Sequence, residues 1–145
     1  MLRTSNLDRR APKRRAAAAV EMAVVLPVML MVILGIIEFG RALMVSNLLT
    51  SAAREGAREA ALPDTNDTEV KAVVVNRLTG AGIPAVAGDV KVFVNGTESN
   101  ASNAVTGDNL TVTVTITVQR VTWLPTSFFL RQTDTLQGTA IMRRE

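Results

Sequence analysis

The one side chain whose type and setting promise chemistry is Glu21, a carboxylate inside the apolar run Ala16–Gly40, AAAAVEMAVVLPVMLMVILGIIEFG. A charged group at the centre of a bilayer costs about 2.5–3.5 kcal/mol on insertion scales, so an acid in such a run points to a function. The alternative is that Glu21 sits at headgroup level and is simply solvated. A second acid, Glu38, follows 17 residues later, about 26 Å along a helix. Arg41 is one turn further on, which suggests an intrahelical Glu38–Arg41 pair at the opposite membrane interface. Other chemistry is scarce. The 145 residues include no histidine and no cysteine, which excludes Ser–His and Cys–His nucleophiles, disulfides and zinc sites of the usual kind. The acids Asp64, Asp67 and Glu69 fall in a turn and a helix start, where solvation is the ordinary reading. The chain is expected to be no enzyme and to hold no cofactor or metal.

The net charge of +3 hides an asymmetry: residues 1–15 carry six basic side chains and one acid, leaving ten basic and twelve acidic residues beyond. The basic cluster adjoins the apolar run and not a folded face with aromatics, which argues for membrane orientation and against nucleic acid. Residues 1–15, with Pro12, read as a disordered basic cytoplasmic leader. A secretory signal core is usually about 7–15 residues long. Met22–Ile37 is longer without interruption, and Ala16–Ile37 makes about 33 Å of helix, enough to span. Positive residues on its N-terminal side place the N-terminus in the cytoplasm and the remainder across the membrane. Pro27 lies inside this helix, either as a tolerated kink or as a softened point where copies pack together.

The helical pattern continues past the membrane segment. Phe39, Ala42, Val45, Leu49, Ala52, Ala53, Ala57, Ala60 and Ala61 form one stripe, with Arg54, Glu55, Arg58 and Glu59 opposite and Glu55–Arg58 as a candidate pair. Residues 16–62 thus form one long helix, 16–40 transmembrane and 41–62 extracytoplasmic and amphipathic, ended by Pro63 and Asp64. Residues 63–145 form a small extracytoplasmic α+β domain. It opens with a short helix capped by Asp67 or Thr68, which stops at TGAG (79–82). Strands follow at 89–96, at 109–121 with Leu110, Val112, Val114, Ile116 and Val118 inward, and near 133–142 with Leu136, Ala140 and Met142 inward. The fold class is α+β: a long transmembrane helix, a short helix and an antiparallel sheet of three or four strands. The loop 95–109 reads as polar and mobile. The aromatic segment 122–130 reads as a core-closing loop, with an exposed patch touching a partner or the membrane interface as the alternative.

The motif series RRAAAAVEMAVVLPVMLMVILGIIEFGRALMVSNLLTSAAREGAREAA resembles the TadE-like pseudopilin family of tight-adherence (Tad/Flp) pilus systems over residues 14–61. The resemblance implies a bacterial inner-membrane protein with a single span, acting as a minor pilin or pseudopilin in assembly of an adhesive, type IV pilus-like fibre. It implies as partners a prepilin peptidase, the Tad inner-membrane assembly platform, other pseudopilins or the major pilin, and membrane lipid. With the acid at the fifth mature position, Glu21 places the cut between Ala16 and Ala17. Ala16 stands where glycine is usual, and the alternative is an uncleaved anchored subunit. Cleavage would free an α-amino group of ordinary pKa about 7.7–8.0. By the pilin analogy, Glu21 would pair with that amine on a neighbouring copy and set register, with Pro27 in the same assembly helix and Glu38 and Arg41 at the membrane interface. A different class, a signal-anchored extracytoplasmic binding module using loop 95–109 or patch 122–130, is the competing reading; a membrane-tethered hydrolase is disfavoured.

Overall fold

A computed structural model describes residues 11–122, 131 and 133–145, with side chains from Ala16 onward. Helix α1 spans Ala11–Ala60, α2 Asp67–Gly80, and four strands follow: β1 Val90–Val94, β2 Thr97–Glu98, β3 Asn109–Thr117 and β4 Thr135–Arg143. The strands make one sheet in the order β2-β1-β3-β4, antiparallel at every pairing. The α+β class read from the sequence is the observed one. The chain divides into two compact units, Met1–Ile37 and Glu38–Glu145.

In the first unit α1 begins at Ala11, so residues 11–15 of the expected disordered leader have helical backbone. Pro12 does not oppose this, because its fixed φ and missing N–H are harmless in a first turn, and an alanine run follows. Helix α1 continues through Pro27. The remaining leader, residues 1–10, lies outside the described residues.

In the second unit the core has one layer of helices on one face of the sheet. From α1 come Val45, Leu49, Ala52, Ala53, Ala57 and Ala60, and from α2 Val70, Val74 and Leu78, all without exposed surface. The sheet contributes Val90, Val92, Leu110, Val112, Val114 and Ile116. The strict alternation along β3 puts these large residues inward and threonines outward, as an antiparallel sheet with one covered face requires. The α1 stripe is covered only where sheet and α2 lie over it. Phe39, expected on that stripe, is exposed, and Ala42 and Ala61 are half-buried.

Alanine contributes little area, since a fully buried Val or Leu is worth about 1.5–3 kcal/mol and a methyl much less. What the small stripe supplies is approach. A Cβ on Gly138 of β4 would stand 2.4 Å from the backbone of Leu49 and Thr50, and one on Gly56 would stand 2.4 Å from Val74 Cγ2 and 3.3 Å from Val112 Cγ1. Helix α1 therefore lies directly on the backbone of β4 at Leu49, and at Gly56 it lies against Val74 of α2 with Val112 of β3 next to it.

Several sequence boundaries move. The cap of α2 is Asn66 and not Asp67 or Thr68: its Oδ1 accepts from Thr68 N–H (2.9 Å) and Glu69 N–H (3.1 Å), while Glu69 Oε2 accepts from Asn66 N–H (3.1 Å). This is a reciprocal capping box. The Asp67 carboxylate instead accepts from Ala101 N–H at 2.8 Å, tying α2 to the segment after β2. The second strand stops at Thr117 because Val118–Arg120 turn into a 3-10 helix. Loop 95–109 contains regular structure: Asn95 and Gly96, with φ of 50° and 84°, turn β1 back into β2, as the Asn-Gly pair favours. Ala101 and Ala104 from the same loop are buried. Met142 has the expected facing but is 38% exposed, since β4 is an outer strand. Glu55 pairs with Arg77 of α2 at 3.4 Å, an exposed contact of little energetic weight.

Where β3 starts, Asp108 gathers the chain ends. Its carboxylate accepts from Val105 N–H (2.9 Å) and Asn95 Nδ2 (2.8 Å), and its C=O accepts from Arg144 N–H (2.9 Å). Arg144, buried, donates from Nη1 to Ala101 C=O at 2.7 Å. The Val105 backbone bond first, then the Asn95 amide and the Arg144 charge, hold the Asp108 carboxyl below its ordinary value.

Two outcomes follow from this packing. Gly138→Ala must push α1 off β4 and is expected to cost about 1–3 kcal/mol, whereas Gly40→Ala, with nothing within 4 Å of the added methyl, should be neutral or stabilise slightly; urea unfolding of the full chain in detergent reads both. Because the Asp108 pKa is depressed on folding, its contribution is present above the unfolded value of about 3.9 and is lost as pH falls through the lower folded value. Asp108→Asn should flatten the acid limb of a melting-temperature-against-pH curve while the wild type keeps it.

Candidate functional site

The residues singled out above fall into two settings on one helix. In the first, Ala16, Ala17, Glu21 and Pro27 lie on α1 where nothing covers it. Every large apolar side chain from Val20 to Leu34 is 39–67% exposed, and these side chains occur at nearly every position, so exposure runs all round the helix. Such a surface has no stripe to bury against a soluble core, and a helix apolar on every side belongs in a large core or in lipid. By length and composition, α1 is the one described helix able to cross a membrane. Glu21 is exposed within this surface, with Ala17 four residues earlier, one turn away on the same face.

In the second setting, Glu38 is 6% exposed. Its Oε1 accepts a short hydrogen bond from Thr122 Oγ1, and Arg41 Nε donates a short one to the Val121 carbonyl. These partners are 84 and 80 residues away in sequence. The two side chains expected to serve each other at an interface thus fasten the chain just after β3 onto α1. Val121 and Thr122 had no sequence signal for this role, because only the fold brings them to the helix. Residues 123–130 and 132, which include the rest of the aromatic segment, lie outside the described residues.

Another polar cluster stands at the far end of β1. Arg120 Nη1 donates to both Asp89 carboxylate oxygens at 2.8 Å and its Nη2 to Pro84 C=O at 2.7 Å. Asp89 also accepts from Val86 N–H at 2.8 Å. These bonds tie Arg120 to the segment before β1 and so close a loop. Among the described residues no group of His, Cys, Asp or Glu could hold a metal.

With that geometry in place, comparison with known families is informative. Residues 16–58 match the family model for TadE-like protein. No curated protein and no solved structure matches the chain. The N-terminal segment is therefore TadE-like, in agreement with its motifs. The match takes in Ala16, Ala17, Glu21, Pro27, Glu38 and Arg41, and it ends before α2 and the sheet.

Replacing Glu38 tests the structural role of the second setting. Glu38→Ala should lower the stability of the detergent-solubilised chain by about 1–3 kcal/mol, the cost of stripping a partner from buried polar groups. Glu21→Ala, on the exposed stretch, should leave the same unfolding curve unchanged.

Proposed function

We propose that the protein is a non-catalytic minor pilin or pseudopilin that helps assemble an adhesive Tad/Flp-type pilus. The observation that carries this reading is the TadE-like match over residues 16–58, whose first part, through Leu34, is apolar on all sides and holds one exposed carboxylate, Glu21. Single-pass insertion in the bacterial inner membrane would leave the basic leader in the cytoplasm and residues 41–145 outside, following the positive charge of the leader.

A prepilin peptidase cuts between Ala16 and Ala17 in this account. Alanine in the position before the cut is the smallest departure from glycine, adding one methyl. The freed amine lies one turn from Glu21 in its own chain. Buried in lipid, neither charge is favourable alone, and removing one partner of a buried pair costs about 3–5 kcal/mol. A carboxylate that meets the amine of a neighbouring copy therefore favours the assembled state over a dispersed monomer and selects helix register. Pro27 supplies a backbone C=O without its usual partner in the same stretch. The partners in this reading are the peptidase, the Tad inner-membrane platform, other pseudopilins or the major pilin, and lipid.

Intact mass of the membrane-extracted protein tests the processing step: a chain starting at Ala17 supports it, and a native Met1 terminus excludes it. Glu21→Leu should insert into the membrane normally, as leucine is favourable there, and fail to support pilus assembly in a complementation assay. Normal piliation by that variant would refute the assembly role of Glu21.

A further inference from the structure

The β3–β4 ladder leaves one backbone edge open. Val118 N–H donates to Asp134 C=O (2.8 Å) beyond one end of the ladder, and Arg144 N–H donates to Asp108 C=O (2.9 Å) beyond the other. Bonded and non-bonded pairs alternate between them in a register that pairs Val114 with Gly138. Even-numbered residues of β4 thus face β3. The N–H and C=O groups of Thr135, Gln137, Thr139, Ile141 and Arg143 point the other way, and β4 is the outermost strand. Among the described residues no backbone group pairs with them.

Sheet edges are normally blunted by shortness, proline, inward charges or bulges. The opposite edge is blunted in this way, because β2 has two residues. β4 runs nine residues, has no proline and carries no charge before Arg143. Its covered face is also unfinished: Leu136 and Ala140 are half-buried and Met142 is 38% exposed. Beside Met142 a cleft of ≈ 410 Å³ opens, lined by Ala61, Leu62 and Pro63 just after α1, with two cations, Arg58 and Arg143, and one acid, Glu145, also on its wall.

We propose that the free edge of β4 is a docking site for an extended strand of a different subunit. The strand's main chain pairs with the outward backbone groups of Gln137, Thr139 and Ile141. A large apolar side chain enters the cleft beside Met142, and a neighbouring carboxylate meets Arg58 and Arg143. Strand addition of this kind takes affinity from the main chain and specificity from alternate side-chain pockets.

A second copy offering its own β4 is a poorer occupant, and this exclusion rests on reading α1 as a membrane anchor. Antiparallel β4–β4 pairing in a continuous sheet requires a two-fold axis normal to the sheet. Helix α1 runs across the sheet, from β4 at Leu49 to β3 at Gly56. That axis would run the two copies of residues 45–60 in opposite directions, against entry from one membrane face. Head-to-tail pairing with β2 of another copy meets only its two residues.

The test uses the full chain in detergent micelles and a synthetic peptide of the strand's own nine-residue length. The peptide alternates threonine and valine, with one leucine for the cleft and a glutamate beside it. Binding should slow amide exchange at Gln137, Thr139 and Ile141 while the amides of Gly138 and Ala140 stay protected throughout. Thr139→Pro removes an outward N–H and no ladder bond, so it should keep the melting temperature and weaken peptide binding by about ten-fold or more. The same peptide N-methylated along one edge provides a control with the protein unaltered, and it should not bind. Unchanged exchange, or equal binding by the methylated peptide, would overturn the docking site. A Thr139→Cys chain that crosslinks to itself in a bilayer would overturn the choice of occupant. None of these readouts depends on leader cleavage or Glu21, so failure here is distinct from failure of the assembly reading.

Discussion

The tightest constraint in the molecule is the contact between Gly138 and the Leu49–Thr50 backbone, with Gly56 against Val74 and Val112 as its counterpart. Gly138 lets the helix lie on the backbone of β4 at a distance a Cβ would not permit, and Gly56 lets α2 close in on the same helix through Val74. The alanine stripe from Ala52 to Ala60 then reaches the sheet, and Val112 and Val70 fill the space that the small residues leave. Most of the area buried is supplied by the sheet and α2. The helix supplies proximity, and the rest of the core is built to the depth those two contacts set. The tether of Glu38 and Arg41 to Val121 and Thr122 acts on the same helix, at the start of the packed stretch.

The same helix carries two carboxylates in opposite circumstances. Glu38 is buried and has a hydroxyl partner within the fold. Glu21 is exposed on a surface where nearly everything else is apolar. In water Glu21 would be an ordinary surface acid. Only transfer of its surroundings into lipid makes it costly, and only then does a cationic partner stabilise it appreciably, because charge pairing strengthens as the dielectric falls. The contrast in function between the two acids therefore comes from their solvent and not from their residue type.

Much of this was legible in the sequence where one local rule decides. The alternation from Leu110 to Ile116 marks a half-covered strand because a period of two has one structural meaning over that length. The apolar run from Met22 to Ile37 marks a helix long and apolar enough to cross a membrane for the same kind of reason. The cap of α2 was placed one or two residues late, since Asn66, Asp67 and Thr68 all have capping side chains and only the reach of Glu69 back to Asn66 N–H selects among them. The Asn95–Gly96 turn carried a readable hairpin signal that the polar composition around it obscured. Gly138 and the Thr122–Glu38 bond carried none. Their meaning depends on which segment lies across the sheet, and nothing within several residues of either encodes that. The expected Glu38–Arg41 partnership was locally sensible, but long-range partners took both side chains.

The two halves of α1 are matched to different solvents, and this bears on how the sheet is finished. Residues 45–60 bury one stripe against sheet and α2 and expose charges opposite, so they are stable in water within the folded unit. Residues 20–34 bury nothing among the described residues and find their partner only in lipid or in other helices of the same kind. In the proposed single-pass arrangement, a chain held at one membrane surface by that segment would meet its neighbours in a limited range of orientations. Anchoring thus lowers the hazard of an unblunted strand, since random edge-to-edge encounters that would aggregate a soluble protein need relative orientations that a shared membrane face does not allow. On that proposal a long edge such as β4, unpaired among the described residues, could persist with its outward backbone groups available for a partner that arrives in register.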